Sequence, residues 1–138
     1  MNRLVLDTNV VVSALLAPGG NEAAVLRIAL AGGATICLSP SIVAEYRAVL
    51  ARPAFRFDPR KIAEFLRLMD EHAEYCQPRR RATGSPDEAD NRFLECAESA
   101  GANFLVTGNR RHFPRWWKET EIVSARELLE PILPENTL

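Results

Sequence analysis

The chain has 138 residues, 47% hydrophobic, 25% charged and 7% aromatic, which is the profile of one globular domain spanning 1–138. Collagen, coiled coil and wholesale disorder are excluded, and at this length folding buries roughly 68 to 70% of the chain's surface, enough for a proper core. Lys plus Arg is 17 and Asp plus Glu is 18, so the net charge of -1 exerts no global pull on polyanions, and any such binding has to come from local clusters.

Five short apolar runs bounded by turn residues read as strands buried on both faces: 3–7 (RLVLD), 34–38 (ATICL), 73–77 (AEYCQ), 103–107 (NFLVT) and 120–123 (TEIV). Between them lie helical patterns. Asn21 is placed to cap 22–31, which Gly32-Gly33 ends; Ser39-Pro40 opens 40–51, and Asp58-Pro59 opens 59–71. A further helix covers roughly 88–100, and Ser124 to Glu127 forms a capping box before 125–130, with 130–138 as a C-terminal tail. This alternation predicts an α/β three-layer sandwich, a five-stranded parallel sheet flanked by helices. In such sheets ligands collect beyond the C-terminal ends of the strands, where the strand order reverses.

Two segments read as loops. Residues 78–86 (PRRRATGSP) carry three consecutive arginines, Arg79, Arg80 and Arg81. Residues 108–118 (GNRRHFPRWWK) hold cations and no acid, interleaved with Phe113, Trp116 and Trp117. The aromatics suit either base stacking or a core or dimer contact. The three cysteines, Cys37, Cys76 and Cys96, sit among apolar neighbours without zinc-like or redox spacing and read as reduced, buried small hydrophobes. His72 and His112 lie far apart, so no zinc site is expected. The apolar run at 4–6 is too short for a signal peptide or a membrane span, which implies a cytoplasmic protein.

Three acids stand where solvent does not explain them. Asp7 closes the first strand at the sheet edge, although an Asx-turn or a cap for the next helix accounts for it equally. Glu45 lies on the edge of the apolar stripe Ile42, Val43, Tyr46, Val49 and Leu50 with no cation at helical spacing; its competing reading is a partner, such as an Arg, from another element. Asp90 falls in line with Phe93 and Leu94, facing the interior, while Asp87 reads equally well as an N-cap. Carboxylates brought together from separate segments repel one another unless a divalent cation lies between them, and hard oxygen donors without Cys or His suit Mg²⁺ or Mn²⁺. Such a site serves phosphodiester hydrolysis. Arg110, Arg111, Arg115 and the Arg79 to Arg81 run are placed to hold backbone phosphates.

Four segments in order, Asp7-Thr8-Asn9, Ser39 to Tyr46 (SPSIVAEY), Asp87 to Ala97 (DEADNRFLECA) and Phe104 to Asn109 (FLVTGN), resemble the PIN-domain family, and most of all its bacterial toxins of toxin-antitoxin systems, related to VapC ribonucleases. The resemblance covers nearly the whole chain. It implies a metal-dependent endoribonuclease with Mg²⁺ or Mn²⁺ as cofactor, RNA as substrate, a cognate antitoxin protein as partner and a homodimer. It carries the catalytic, metal-holding acids onto Asp7, Glu45 and Asp90, with Thr8, Asn9 and Thr107 in support. The fourth acid of many PIN domains falls on Asn109, which supplies a carbonyl oxygen and no charge; Asp87 is placed to compensate. The departure at Asn109 motivates the competing reading, a PIN-like RNA-binding or regulatory module with weakened catalysis. A phospho-receiver or nucleotide-binding domain lacks its parts here: there is no phosphate-cradling Gly-rich motif, and no Lys ends the last strand.

Overall fold

In the computed structural model the described residues are 1–130. The elements alternate: β1 (Arg3–Leu6), α1 (Thr8–Leu16), α2 (Asn21–Ile28), β2 (Thr35–Leu38), α3 (Pro40–Leu50), α4 (Pro59–His72), β3 (Ala73–Tyr75), α5 (Asn91–Ala100), β4 (Phe104–Val106), β5 (Trp116–Trp117), β6 (Thr120–Val123) and α6 (Ala125–Leu129). Glu130 excepted, the expected C-terminal tail lies outside the described residues.

The sheet has six strands in the order β3-β2-β1-β4-β6-β5, with helices flanking it. The five expected strands run parallel. The sixth, β5, is a two-residue antiparallel edge that pairs Trp116 with Glu121 and Trp117 with Thr120. Two residues carry too little periodicity to be seen in a sequence, so this part of the 108–118 loop is corrected to a strand.

Central β1, β2 and β4 are buried as their continuous apolar runs require. β3 differs: it is shorter than expected, and Glu74 and Tyr75 are exposed because β3 is an edge with a neighbour on one side only. The core joins Val5, Leu6, Ile36, Leu38, Ile42, Tyr46, Phe93, Leu94 and Leu105. Cys37 and Cys96 are buried within it, whereas Cys76 is half-buried.

Most helix starts follow the sequence signals. Ser39 accepts from the Ile42 N–H with Pro40 in the first turn of α3, Asp58 accepts from the Arg60 N–H of α4, and the Ser124–Glu127 capping box opens α6. Asn21 does not cap α2; it is the first helical residue, behind Gly20. The predicted helix over 88–100 splits into a single 3-10 turn, Glu88–Asp90, followed by α5. Gly101 ends α5 at φ 64°, a left-handed conformation that glycine adopts without steric cost.

The strand order reverses at β1 and β4, whose C-terminal ends open side by side. Asp7 follows β1 and Thr107 follows β4, and each belongs to the sheet through its backbone: the Asp7 N–H donates to Val106 O and the Thr107 N–H to Val123 O, both at 2.9 Å.

Candidate metal centre

Asp7 is built into this edge by three contacts besides its backbone. Its Oδ1 accepts from the Thr8 N–H at 2.8 Å, which caps α1 in the way its position before a helix allows. Its Oδ2 accepts from Thr107 Oγ1 at 2.7 Å and from Asn9 Nδ2 at 3.0 Å. Asn9 also accepts, through Oδ1, the Gly108 N–H at 2.9 Å. A Cβ at Gly108 would stand 3.3 Å from that oxygen, so the glycine permits the close approach of the β4 turn to the β1 turn. Asn9 and Thr107 thus fix the carboxylate from two strand ends.

The Asp7 side chain is nearly buried, and burial pushes its pKa up to about 6, with the charges of Asp90 and Glu45 adding to the rise and the Thr107 and Thr8 hydrogen bonds opposing it. Asp90 is raised as well, first by burial and then by Asp87, against a lowering contribution from His112. The charges of Asp90 and Glu45 act on Asp7, and that of Glu45 acts on Asp90, so the three acids, one after β1, one in α3 and one at the start of α5, lie within electrostatic reach of one another. Glu45 is half-buried and accepts a short hydrogen bond from the Thr8 hydroxyl. Its partner from another element is therefore a threonine and not an arginine. Among the described residues no Arg or Lys pairs with Asp7, Glu45, Asp87 or Asp90.

Asp87 acts as an N-cap, accepting from the Ala89 N–H at 3.0 Å. It is nonetheless part of the acidic group. Ligand atoms of Asp87, Asp90 and His112 lie within 4.8 Å of one another. His112 Nδ1 is 3.1 Å from Asp90 Oδ2, and the Asn109 amide nitrogen lies 3.1 and 3.2 Å from the two ring nitrogens of His112.

Residue 109, the position to which the resemblance assigns a fourth acid, is therefore an amide leaning on an imidazole. Sequence reasoning missed His112 because its nearest acid, Asp90, is 22 positions away. The available signal was local: His112 follows Asn109 by three positions, one 3-10 turn (Arg110–His112) further on.

Asp87, Asp90 and His112 offer two carboxylates and an imidazole within reach of one ion, Asp7 and Glu45 add charge nearby, and burial keeps the Asp7 and Asp90 carboxyls raised, a chemistry that fits a hard divalent cation. The residues present therefore fit Mg²⁺ or Mn²⁺.

The basic residues fall into two groups. Arg79, Arg80 and Arg81 line a groove of about 360 Å³ together with Ser39, Ser41 and Arg92, beside the start of α3. Arg80 is 3.7 Å from Glu98, and the loop behind it is tied down by Ala82 N–H, which donates to Glu95 Oε2 at 3.0 Å. Arg111 and Arg115 are exposed beside a second cavity of about 330 Å³, which Arg110 also lines. Arg110 is committed to Glu127, and it holds the Glu127 carboxyl down to about 2.

The aromatic trio divides in the same way. Phe113 is buried, Trp116 is 52% exposed, and Trp117 is half-buried with its Nε1–H donating to Glu98 at 3.2 Å. Gly84 lies against the Trp117 ring so closely that a Cβ would stand 2.7 Å from it. Phe113 and Trp117 are thus structural, and Trp116 alone offers a free face.

Carboxylates gathered without an Arg or Lys partner at the switch point of a mostly parallel α/β sheet are a potential binding site for a divalent cation. The chain belongs to the PIN-domain family, which it matches over residues 3–111. No curated protein matches the sequence. Among seven solved chains that share the fold is one from the crystal structure of VapBC2 from Rickettsia felis, bound to a DNA fragment from their promoter. It is 16% identical, with a TM-score of 0.57, over 87% of this chain and 98% of that one.

Proposed function

We propose that the protein is a metal-dependent endoribonuclease that hydrolyses RNA phosphodiester bonds, the toxin of a toxin-antitoxin pair. The observation that carries this reading is Asp7, a nearly buried carboxylate at the sheet's switch point, held by Thr8, Asn9 and Thr107 with no Arg or Lys partner among the described residues, whose pKa burial pushes up to about 6. A buried carboxylate at that cost is retained for a ligand that repays it, and a divalent cation is that ligand. Asp7, Glu45 and Asp90 would hold Mg²⁺ or Mn²⁺, with Asp87 and the Asn109 carbonyl as further donors.

A bound divalent cation would supply an activated water nucleophile and charge stabilisation at the leaving oxygen of the phosphodiester. The chain's own residues do the positioning. Thr107 and Asn9 orient Asp7, Thr8 orients Glu45, and His112 leans on Asp90. Arg79, Arg80, Arg81, Arg111 and Arg115 take backbone phosphates, and Trp116 stacks a base. Arg110 contributes less because Glu127 neutralises it.

The likeness to VapBC2 supports an antitoxin protein as partner, and a homodimer acting in the cytoplasm is what the PIN resemblance implies. Asn109 favours the second reading, an RNA-binding module of weakened catalysis, since its amide faces His112 where an acid would add charge. The test is cleavage of single-stranded RNA by the purified chain with Mn²⁺ or Mg²⁺, beside Asp7→Asn and Asp90→Asn. Cleavage that disappears in both variants and in chelator supports the nuclease. RNA binding without cleavage in the wild type supports the module.

A further inference from the structure

Beyond the acidic centre, the sulfurs of Cys76 and Cys96 approach to 3.3 Å. Cys76 follows β3 and is held to the sheet by its N–H, which donates to Leu38 O at 2.9 Å; Cys96 is fully buried on α5. We propose that Cys76 and Cys96 are a peroxide-reactive thiol pair that closes to an intramolecular disulfide, tying the root of the arginine loop to α5. The proposal stands apart from the nuclease reading.

The two thiols have distinct parts. The hydrogen bond shared with Cys96 lowers the Cys76 thiol to about 7, with Ser99 and Arg3 favouring the thiolate further and burial opposing it. Arg3 is fixed nearby, its Nε donating to Ala100 O at 2.9 Å and its guanidinium 2.8 Å from Glu74. Cys96 is pushed up, by its bond to Cys76 and by burial, so it keeps its proton. Cys37, in β2, is raised by burial and is a bystander.

The Cys76 thiolate attacks one peroxide oxygen, breaking the O–O bond and becoming a sulfenic acid as hydroxide departs. The Cys96 sulfur then attacks the sulfenic sulfur. Its proton leaves with the sulfenic hydroxyl as water, so that two thiols are oxidised and one peroxide is reduced to two waters. Cys76 is half-buried at the sheet edge, which admits a small oxidant. The bond adds to two polar ties that already run between the same segments, Ala82 to Glu95 and Arg80 to Glu98.

Hydrogen peroxide added to the reduced full chain is expected to leave one free thiol of three, with a mass loss of two hydrogens. Proteolytic mapping should join the Cys76 peptide to the Cys96 peptide, and dithiothreitol should restore all three thiols. Cys37→Ala should still close the bond, and Cys76→Ser should keep both of its thiols at the same dose. Mass gains in oxygen steps without the two-hydrogen loss, a linkage through Cys37, or chains joined to each other on a non-reducing gel would overturn the proposal. The wild-type map decides the matter whether or not a variant folds.

Discussion

Thr107 and Asp7, 100 positions apart, are joined by a hydrogen bond of 2.7 Å in which the hydroxyl donates to the carboxylate. The same hydroxyl accepts the Asn109 N–H at 2.9 Å, so one oxygen sets both an acid and the turn beside it. Thr107→Val keeps the shape and removes both bonds. Hydrogen bonds to charged groups contribute about 1.5 to 3 kcal/mol, so Mn²⁺ affinity at neutral pH is expected to fall roughly tenfold or more. The Asp7 titration should move upward. Calorimetry and a carbon-13 titration of the carboxyls check the two together.

The raised Asp7 carboxyl makes stability depend on pH. Because the folded state holds the proton more tightly than the unfolded one, stability without metal falls as pH rises from about 4 to about 6 and then levels off. At about 1.4 kcal/mol per pH unit the loss is on the order of 3 kcal/mol. Asp7→Asn should recover about 1 to 2 kcal/mol at pH 7, less than the full amount because an amide nitrogen cannot accept the Thr107 or Asn9 bonds. Urea melts across this window are the measurement. A flat profile in the wild type would mean that Asp7 is not buried as charge.

Divalent cation binding should reverse that penalty. At a free Mn²⁺ concentration a hundredfold above its Kd, the gain in stability is about 2.7 kcal/mol, read as a rise in Tm. Neither Asp7→Asn nor Asp90→Asn should show it. If the variants gain as much as the wild type, the cation binds elsewhere.

Asp7, Glu45 and Asp90 stood out as candidates by local pattern: a carboxylate closing an apolar strand, and two on helices without a cation at helical spacing. Their supporting hydroxyls, Thr8 and Thr107, lay inside the same short segments. His112 and the Cys76–Cys96 pair were not legible. Each depends on where two distant segments lie once β3 and α5 are packed, and no period in a sequence encodes that distance. The order of the sheet was hidden for the same reason, although the parallel strands themselves were plain.

Asn109→Asp tests how much charge the centre lacks. It adds a carboxylate beside His112 and close to Asp90, so metal-free stability should fall by about 1 kcal/mol through like-charge repulsion, while Mn²⁺ affinity rises about tenfold. Chemical denaturation and calorimetry on the same sample separate the two effects. Unchanged affinity would place residue 109 outside the donor set.

For RNA, the exposed arginines and Trp116 give separable outcomes. Replacing Arg79 or Arg111 with Ala should lower the salt dependence of single-stranded RNA binding by about 0.7 in log-log slope for each phosphate that the side chain had neutralised. Arg110→Ala should change it less because Glu127 already neutralises that side chain. Trp116→Ala should weaken binding by about 1 to 3 kcal/mol with little effect on Tm, whereas Trp117→Ala, which removes the ring under Gly84, should destabilise the fold by about 3 kcal/mol. Fluorescence anisotropy over a salt series, beside thermal melts, checks these variants together.

The pairing of β4 with β1 also fixes when the centre can exist. A chain emerging from the ribosome through α5 already contains Asp7, Glu45, Asp87 and Asp90, yet it lacks the Val106 carbonyl that accepts the Asp7 N–H and the Thr107 hydroxyl that aims the carboxylate. The acids are thus made early and assembled late. Whatever chemistry they perform is withheld from the nascent chain until β4 and Thr107 have emerged and paired with β1.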